Sequence, residues 1–350
     1  MRGRALPKGL PDRMNHPAIA HSMPSAAQIA TIRGRGRAII AHEAEALRHL
    51  GDGLDDSFAR ACWLIAGARR RLVVSGMGKS GHIGRKIAAS FSATGTAALF
   101  LHPAEASHGD LGMMMAGDVL LVLSNSGNTA ELGPVLRHAR ALGVAIIGMV
   151  ARSRSMVGDM ADVLLLLPDR PEACEDSFAP TTSTVMQLAL GDALALSVMD
   201  ARGVSRRQIR ALHPGGAIGQ RLTPVGEVMS RAGLPLVSPD APMRDVVPVI
   251  TDHRFGLAGV VDAAGRLMGV ISDGDLRRHF SALGKVSAGE VMTRDPRSLC
   301  PDMVAVDALQ WMNEAKITAA FVVAPMAEGG EMPVGIVHMH DLLPMGLEPA

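Results

Sequence analysis

Tyrosine is absent from the 350-residue chain, and Trp and Phe contribute only 2 and 7 residues. Methionine takes over part of the apolar role: 22 residues, many inside hydrophobic runs, suit the filling of irregular core gaps. Cysteine is scarce. Cys62, Cys174 and Cys300 are odd in number and far apart, which argues against a disulfide framework and for a reducing cytoplasm. No C-x-x-C or H-E-x-x-H spacing occurs, so no metal site is announced by motif. No apolar run approaches the ~20 residues of a membrane span. Charge of one sign is not in excess either: Lys+Arg 35 against Asp+Glu 34 leaves +1, which calls for neither nucleic acid nor a membrane as partner. A chain of this length is expected to form two or three domains.

What is present is organised around Asp118–Leu132. Val119 to Leu123 is an unbroken apolar run bounded by Ser124, Asn125, Ser126 and Gly127, which suits a short strand buried on both faces. From Asn128 the pattern turns helical, with Leu132, Val135, Leu136 and Ala139 on one face. A strand, a small polar turn and a helix aim free backbone N–H groups at an anion. The hydroxyls of Ser124, Ser126 and Thr129 add donors there, and a phosphate fits. The same residues are also ordinary turn and cap formers.

Residues 1–35 carry several Pro, scattered Arg and His and no sustained period, and are expected to be a disordered leader, with Met14 and Met23 as alternative starts. Helices are expected over Ala38–Leu50 and Asp56–Ala68. Arg71 to Ser75 reads as a second buried strand running into Gly76-Met77-Gly78-Lys79-Ser80-Gly81 and a helix from about His82. That turn has neither the Walker spacing nor a dinucleotide fingerprint. Ala97–Leu101, Val144–Val150 and Val163–Leu167 supply further strands, and the loop after Leu101 holds His102, Glu105, His108 and Asp110. The βαβαβ pattern predicts a parallel sheet of about five strands flanked by helices, with the three polar loops converging at the carboxyl ends of the strands. A long helix, Thr181–Ala201, and an irregular loop at His213-Pro214-Gly215-Gly216 complete the first domain, 36–222.

From Thr223 the chain repeats itself. Val228-Met229-Ser230 is answered by Val291-Met292-Thr293, Ser238-Pro239-Asp240 by Cys300-Pro301-Asp302, and Gly274-Asp275-Leu276 by His340-Asp341-Leu342. A tandem unit of about 60 residues with a β-α-β-β-α pattern implies a pseudo-symmetric pair. Its two copies are expected over 223–284 and 285–350.

These residues carry a resemblance. The first domain resembles a sugar isomerase (SIS) domain and the repeat resembles a pair of cystathionine-β-synthase (CBS) modules. With GMGKSGHIGRK, HPAEASHGDLG, SNSGNTAE, EAC…APTTST and HPGGAIG in order, the chain is similar to the D-arabinose-5-phosphate isomerase family from about Ala38 to Leu343. The resemblance implies interconversion of D-ribulose 5-phosphate and D-arabinose 5-phosphate, feeding synthesis of the lipopolysaccharide sugar Kdo, by a cytoplasmic homotetramer that requires no cofactor. It implies Lys79, Glu131, Glu172 and His213 as catalytic residues. Gly95, Thr96, His102, His108, Ser124, Ser126 and Thr129 would meet the sugar phosphate, and His102 would also contact an inhibitory zinc. In the repeat, Asp273 stands where a nucleotide or nucleotide-sugar would be met; the second copy has Met339 there. Two departures bear on sugar preference: Asn128 where relatives often have Glu, and Glu175-Asp176-Ser177-Phe178 beside the Glu172 loop. The rival reading is a sugar-phosphate-binding regulatory protein of the same domain make-up without isomerase activity.

Overall fold

The computed structural model describes residues 23–174 and 179–343. Two helices, Ala26–Asp52 (α1) and Asp56–Ala66 (α2), precede the first strand. Helix α1 starts twelve residues earlier than expected because Ser25 and Gln28 form a reciprocal capping box (2.8 and 3.3 Å). Part of the expected leader, Ala26 to Arg35, is therefore helical; residues 1–22 lie outside the described residues. Asp55 caps α2 through the Ser57 N–H (2.8 Å).

Five apolar runs form the five parallel strands: Leu72–Gly76 (β1), Ala98–Leu101 (β2), Val119–Leu123 (β3), Ala145–Val150 (β4) and Val163–Leu166 (β5). β1 and β3 are buried along their whole length, as befits strands covered on both faces. Gly78–Ala93 (α3) follows β1, and Pro103–Ala106 (α4) follows β2. Leu132–Ala141 (α5) and Met156–Met160 (α6) flank β4, and Thr182–Ala201 (α7) comes after β5. The spatial order β2-β1-β3-β4-β5 puts a topological switch point between β1 and β3, where chain crossovers leave in opposite directions. One face of the sheet is covered by α1, α2, α3 and α7 around Ile87, Phe91, Leu121 and Leu194; the other packs α5 and α6 around Val73, Leu120, Leu136 and Val157.

α7 alone among the described helices is long and apolar enough, by length and composition, to cross a membrane. Its Met186, Leu190, Leu194 and Val198 are buried in the core, and Gly191 lets α3 approach so closely that a Cβ there would lie 2.3 Å from Ile87 Cδ1.

Arg206–Leu212 (α8) and Ala217–Arg221 (α9) lead into the repeat. Its first copy contains Val225–Val228 (α10), Leu236–Val237 (β6), Met243–His253 (α11), Leu257–Val261 (β7), Leu267–Ser272 (β8) and Asp273–Arg278 (α12). The second contains Ala288–Val291 (α13), Thr293–Arg294 (β9), Ala305–Glu314 (α14), Ala319–Pro325 (β10), Glu331–His338 (β11) and Met339–Leu342 (α15). The opening segments are exchanged in packing. Val225 and Met229 enter the core of the second copy, whereas Ala288 and Val291 enter that of the first, and β9 pairs with β8. The sequence boundaries at 223–284 and 285–350 thus follow chain order, not the two packed bodies.

Candidate active site

The turn after β3 is built before any ligand arrives. Ser124 is buried, its hydroxyl pairs with that of Thr129 (2.9 Å) and accepts the Gly127 N–H (3.1 Å). Gly127 sits at φ +70, and a Cβ there would come within 2.2 Å of Ser155 Oγ, so the turn needs glycine for both conformation and space. Asn128 Oδ1 accepts the Met156 N–H (2.9 Å), tying the turn to the start of α6. The backbone N–H groups of Ser126, Thr129, Ala130 and Glu131 have no partner among the described residues. Those donors, ahead of α5, are what a phosphate requires.

Lys79 lies directly across the switch point. α3 begins at Gly78, four residues earlier than the glycine-rich sequence suggests, so Lys79 stands on its first turn with an exposed, unpaired ammonium among the described residues. β1 and β3 end level, Gly76 opposite Leu123, which sets the Lys79 turn beside the Ser124 turn. β2 ends alongside, and Ser75 Oγ donates to Leu101 O (2.8 Å), so His102 joins the same edge. His102 Nδ1 is buried without a partner among the described residues. His108 is exposed in the loop beyond α4.

The three candidate bases differ in what their lone pairs do. Glu131 is exposed at the N-cap of α5, and its carboxylate has no partner among the described residues. His213 caps the end of α8; its Nδ1 bonds the Ile209 carbonyl at 2.8 Å. A carbonyl only accepts, so Nδ1 carries a proton, and in the neutral imidazole Nε2 keeps the lone pair. Glu172 is different. Its Oε2 accepts from Thr181 N (2.7 Å), Thr181 Oγ1 (3.0 Å) and Ser183 N (3.3 Å), and its Oε1 from Ser183 Oγ. Burial alone would raise this carboxyl, but the bonds from Ser183 and Thr181 together hold it below the usual carboxylate range.

Not every expected contact gathers here. Gly95 and Thr96 precede β2 and so lie at the amino edge of the parallel sheet, opposite the carboxyl-edge loops. Gly95 packs against Val204, and the buried Thr96 hydroxyl accepts from Arg202 (3.1 Å). Within one chain they therefore stand away from the Ser124 and Lys79 turns. His213 also lies apart from the strand ends: α8 packs on α9 and is fastened to the repeat by Arg206–Asp307 and by two bonds from Arg210 to Glu227 (2.7 and 2.6 Å). The departure at Glu175-Asp176-Ser177-Phe178 lies outside the described residues. Thr181 and Ser183 were missed as functional partners; the APTTST motif contains both, yet nothing in their spacing names a glutamate nine and eleven residues upstream as their acceptor.

Comparison with known proteins decides the family. Arabinose 5-phosphate isomerase KdsD of Yersinia pestis is 42% identical over 320 residues, spanning 89% of this chain and 95% of that protein. The chain belongs to the arabinose 5-phosphate isomerase family. The KdsD isomerase of Pseudomonas aeruginosa is 41% identical over 87% of this chain and 94% of its own length. Models of the SIS domain match residues 64–197, and those of the CBS domain match 225–282 and 288–345. Among solved structures, Escherichia coli CFT073 c3406 in complex with A5P is similar to 55% of this chain and to 100% of its own, at 32% identity and TM-score 0.51.

The repeat of this family member has its own cleft, of about 620 Å³, between the two copies. Asp273, at the start of α12, shares it with Gly256, Arg277 and, from the second copy, Lys316 and Thr318. Asp275 is buried and occupied: it accepts from Ser272 N and Oγ (2.8 and 2.7 Å) and pairs with Arg278. At the equivalent place in the second copy, His338 and His340 stack at 4.9 Å around Met339.

Proposed function

We propose that the chain interconverts D-ribulose 5-phosphate and D-arabinose 5-phosphate through a cis-enediol, the step that leads toward the lipopolysaccharide sugar Kdo. The observation that carries this reading is the pairing of an anion-ready turn, Ser124–Thr129, with a free lysine on the first turn of α3, in a chain of this family. The turn and its unpartnered N–H groups take the phosphate, with Ser124, Ser126 and Thr129 around it. A base removes a proton from C1 of the ketose, and the Lys79 ammonium balances the charge that develops on the enediolate oxygen. The carbon proton returns at C2, and a second proton passes from O1 to O2. Among the described residues, Glu131 and Nε2 of His213 have lone pairs free for this traffic.

His213 sits on α8 away from the strand ends of its own chain, so it serves the site of a neighbouring subunit in a cytoplasmic homotetramer. No organic cofactor is called for. An inhibitory zinc at His102 would have to draw further ligands from elsewhere, since no three His, Cys, Asp or Glu side chains converge among the described residues. The cleft at Asp273 takes a nucleotide or nucleotide-sugar, and the second copy, with Met339 in place of the aspartate, takes none. The purified full chain given D-ribulose 5-phosphate should form D-arabinose 5-phosphate in a coupled assay, and Lys79→Ala should lose that activity. A folded wild-type chain that forms no product overturns the reading.

A further inference from the structure

Four consecutive residues ahead of α7 are pinned between two helices. Pro171 O accepts from His42 Nε2 of α1 (2.9 Å), and Arg35 of α1 reaches Cys174 Sγ (3.0 Å). Between them, Ala173 N donates to Thr181 Oγ1 (2.9 Å), while Glu172 receives both N–H and both hydroxyl donors of Thr181 and Ser183. The segment therefore bridges α1 on one side and the first turn of α7 on the other. Gly191 meets Ile87 near the middle of α3 and α7, and Val204 meets Gly95 past their C-terminal ends, so the two helices run in parallel and the first turn of α7 lies toward the Lys79 end of α3. The clasped segment is thereby held toward the Lys79 end of α3.

We propose that Glu172 is a positioning residue, whose carboxylate clasps Pro171–Cys174 to the start of α7 and leaves the proton transfers to other groups. The inference rests on the isomerase reading of the site. Four donors hold the carboxylate, three on Oε2 and the Ser183 hydroxyl on Oε1. To act as a base through Oε1, Glu172 would have to give up the negative charge that these four donors and the N-terminal N–H groups of a 20-residue helix stabilise. Anionic charge is also best placed where it is, at the positive end of α7. The same hydrogen bonds that hold it make it a weaker base than an ordinary glutamate. Glu131 carries no such load.

The test uses the full chain with E172Q, S183A and the double variant. Turnover is measured with D-ribulose 5-phosphate across pH, and amide hydrogen exchange of the first turn of α7 without substrate. A clasp predicts that E172Q and S183A each raise KM, that kcat falls by less than about tenfold, short of the 10²–10⁴ of a lost acid or base, and that the acid limb of kcat/KM stays where the wild type has it. The double variant should be no worse than E172Q alone, and exchange at Thr181 to Val185 should quicken in both single variants. If E172Q instead abolishes the acid limb together with kcat, or S183A moves that limb upward by releasing the carboxylate, Glu172 is the base and the proposal falls. A wild-type chain without turnover would fail the isomerase reading alone; the exchange still judges the clasp, which is overturned if E172Q leaves it unchanged.

Discussion

Replacing Gly127 by Ala puts a methyl group where the turn after β3 has no room for one. Gly127 has φ +70, a conformation that costs an L side chain about 1–2 kcal/mol. The new Cβ would also stand 2.2 Å from Ser155 Oγ and 2.6 Å from Ser155 Cβ. Ser155 is buried and has little freedom to yield, because its hydroxyl donates to Arg152 O (2.8 Å) and caps α6 through Gly158 N (3.2 Å). Overpacking and loss of the cap bring the destabilisation to about 2–4 kcal/mol. For a domain of this size that is roughly 4–16 °C in Tm. Displacing Gly127 also withdraws its N–H from Ser124 Oγ, so KM for D-ribulose 5-phosphate should rise alongside the fall in Tm. Thermal unfolding and steady-state kinetics on the same preparation read both effects. A G127A chain with wild-type Tm and KM would refute this conformation of the turn and its part in holding phosphate.

His213→Ala should lower kcat by about 10²–10⁴ with a much smaller change in KM, since Nε2 is the lone pair the reaction would use; an unchanged kcat removes His213 from the mechanism. Glu172 has a folded carboxyl below its unfolded value, because the bonds from Ser183 and Thr181 outweigh the opposing effect of burial. Its stabilisation is therefore complete at neutral pH, above the unfolded value, and is lost as pH falls through the folded one. The Tm gap between wild type and E172Q should be widest near neutrality and close in acid; a gap that stays constant with pH contradicts it. A chain ending at Leu222 should keep measurable isomerase activity, because the site residues precede it and an A5P-bound relative matches only 55% of this chain over its whole length. That activity should be lower than in the full chain, since Arg206 and Arg210 lose Asp307 and Glu227, and a folded truncation with no activity at all would place part of the site in the repeat.

The sheet was legible because its strands are apolar runs buried on both faces, as in Val119–Leu123. The turns at Gly76 and Ser124 were legible for the complementary reason, that small polar residues interrupt those runs. Helix starts were harder. Gly78 to Gly81 reads as loop by composition, yet α3 begins there: Gly78 turns the chain at φ +55, Gly81 N donates to Met77 O (3.0 Å), and Gly81 lies against Gly76 O, 2.5 Å from where a Cβ would be. The Arg-Gly alternation at Arg33–Arg37 hides α1, whose first turns are exposed and rest on a capping box and the Arg35–Cys174 contact. Glu172 reads as a loop glutamate because its partners are set by the fold, and the exchanged opening segments of the repeat are invisible in a pattern that reports only order. The position of Gly95 and Thr96 at the amino edge was not legible, because motif proximity to His102 says nothing about which end of a parallel strand a residue occupies.

The most direct measurement is the isomerisation itself, run with D-ribulose 5-phosphate in D₂O and followed by NMR. Proton transfer through a cis-enediol predicts that D-arabinose 5-phosphate accumulates and carries deuterium at C2 wherever the base exchanges its proton before returning it, with Lys79→Ala giving neither product nor label. A folded, oligomeric wild-type chain that leaves D-ribulose 5-phosphate unchanged and unlabelled at C1 would contradict the account.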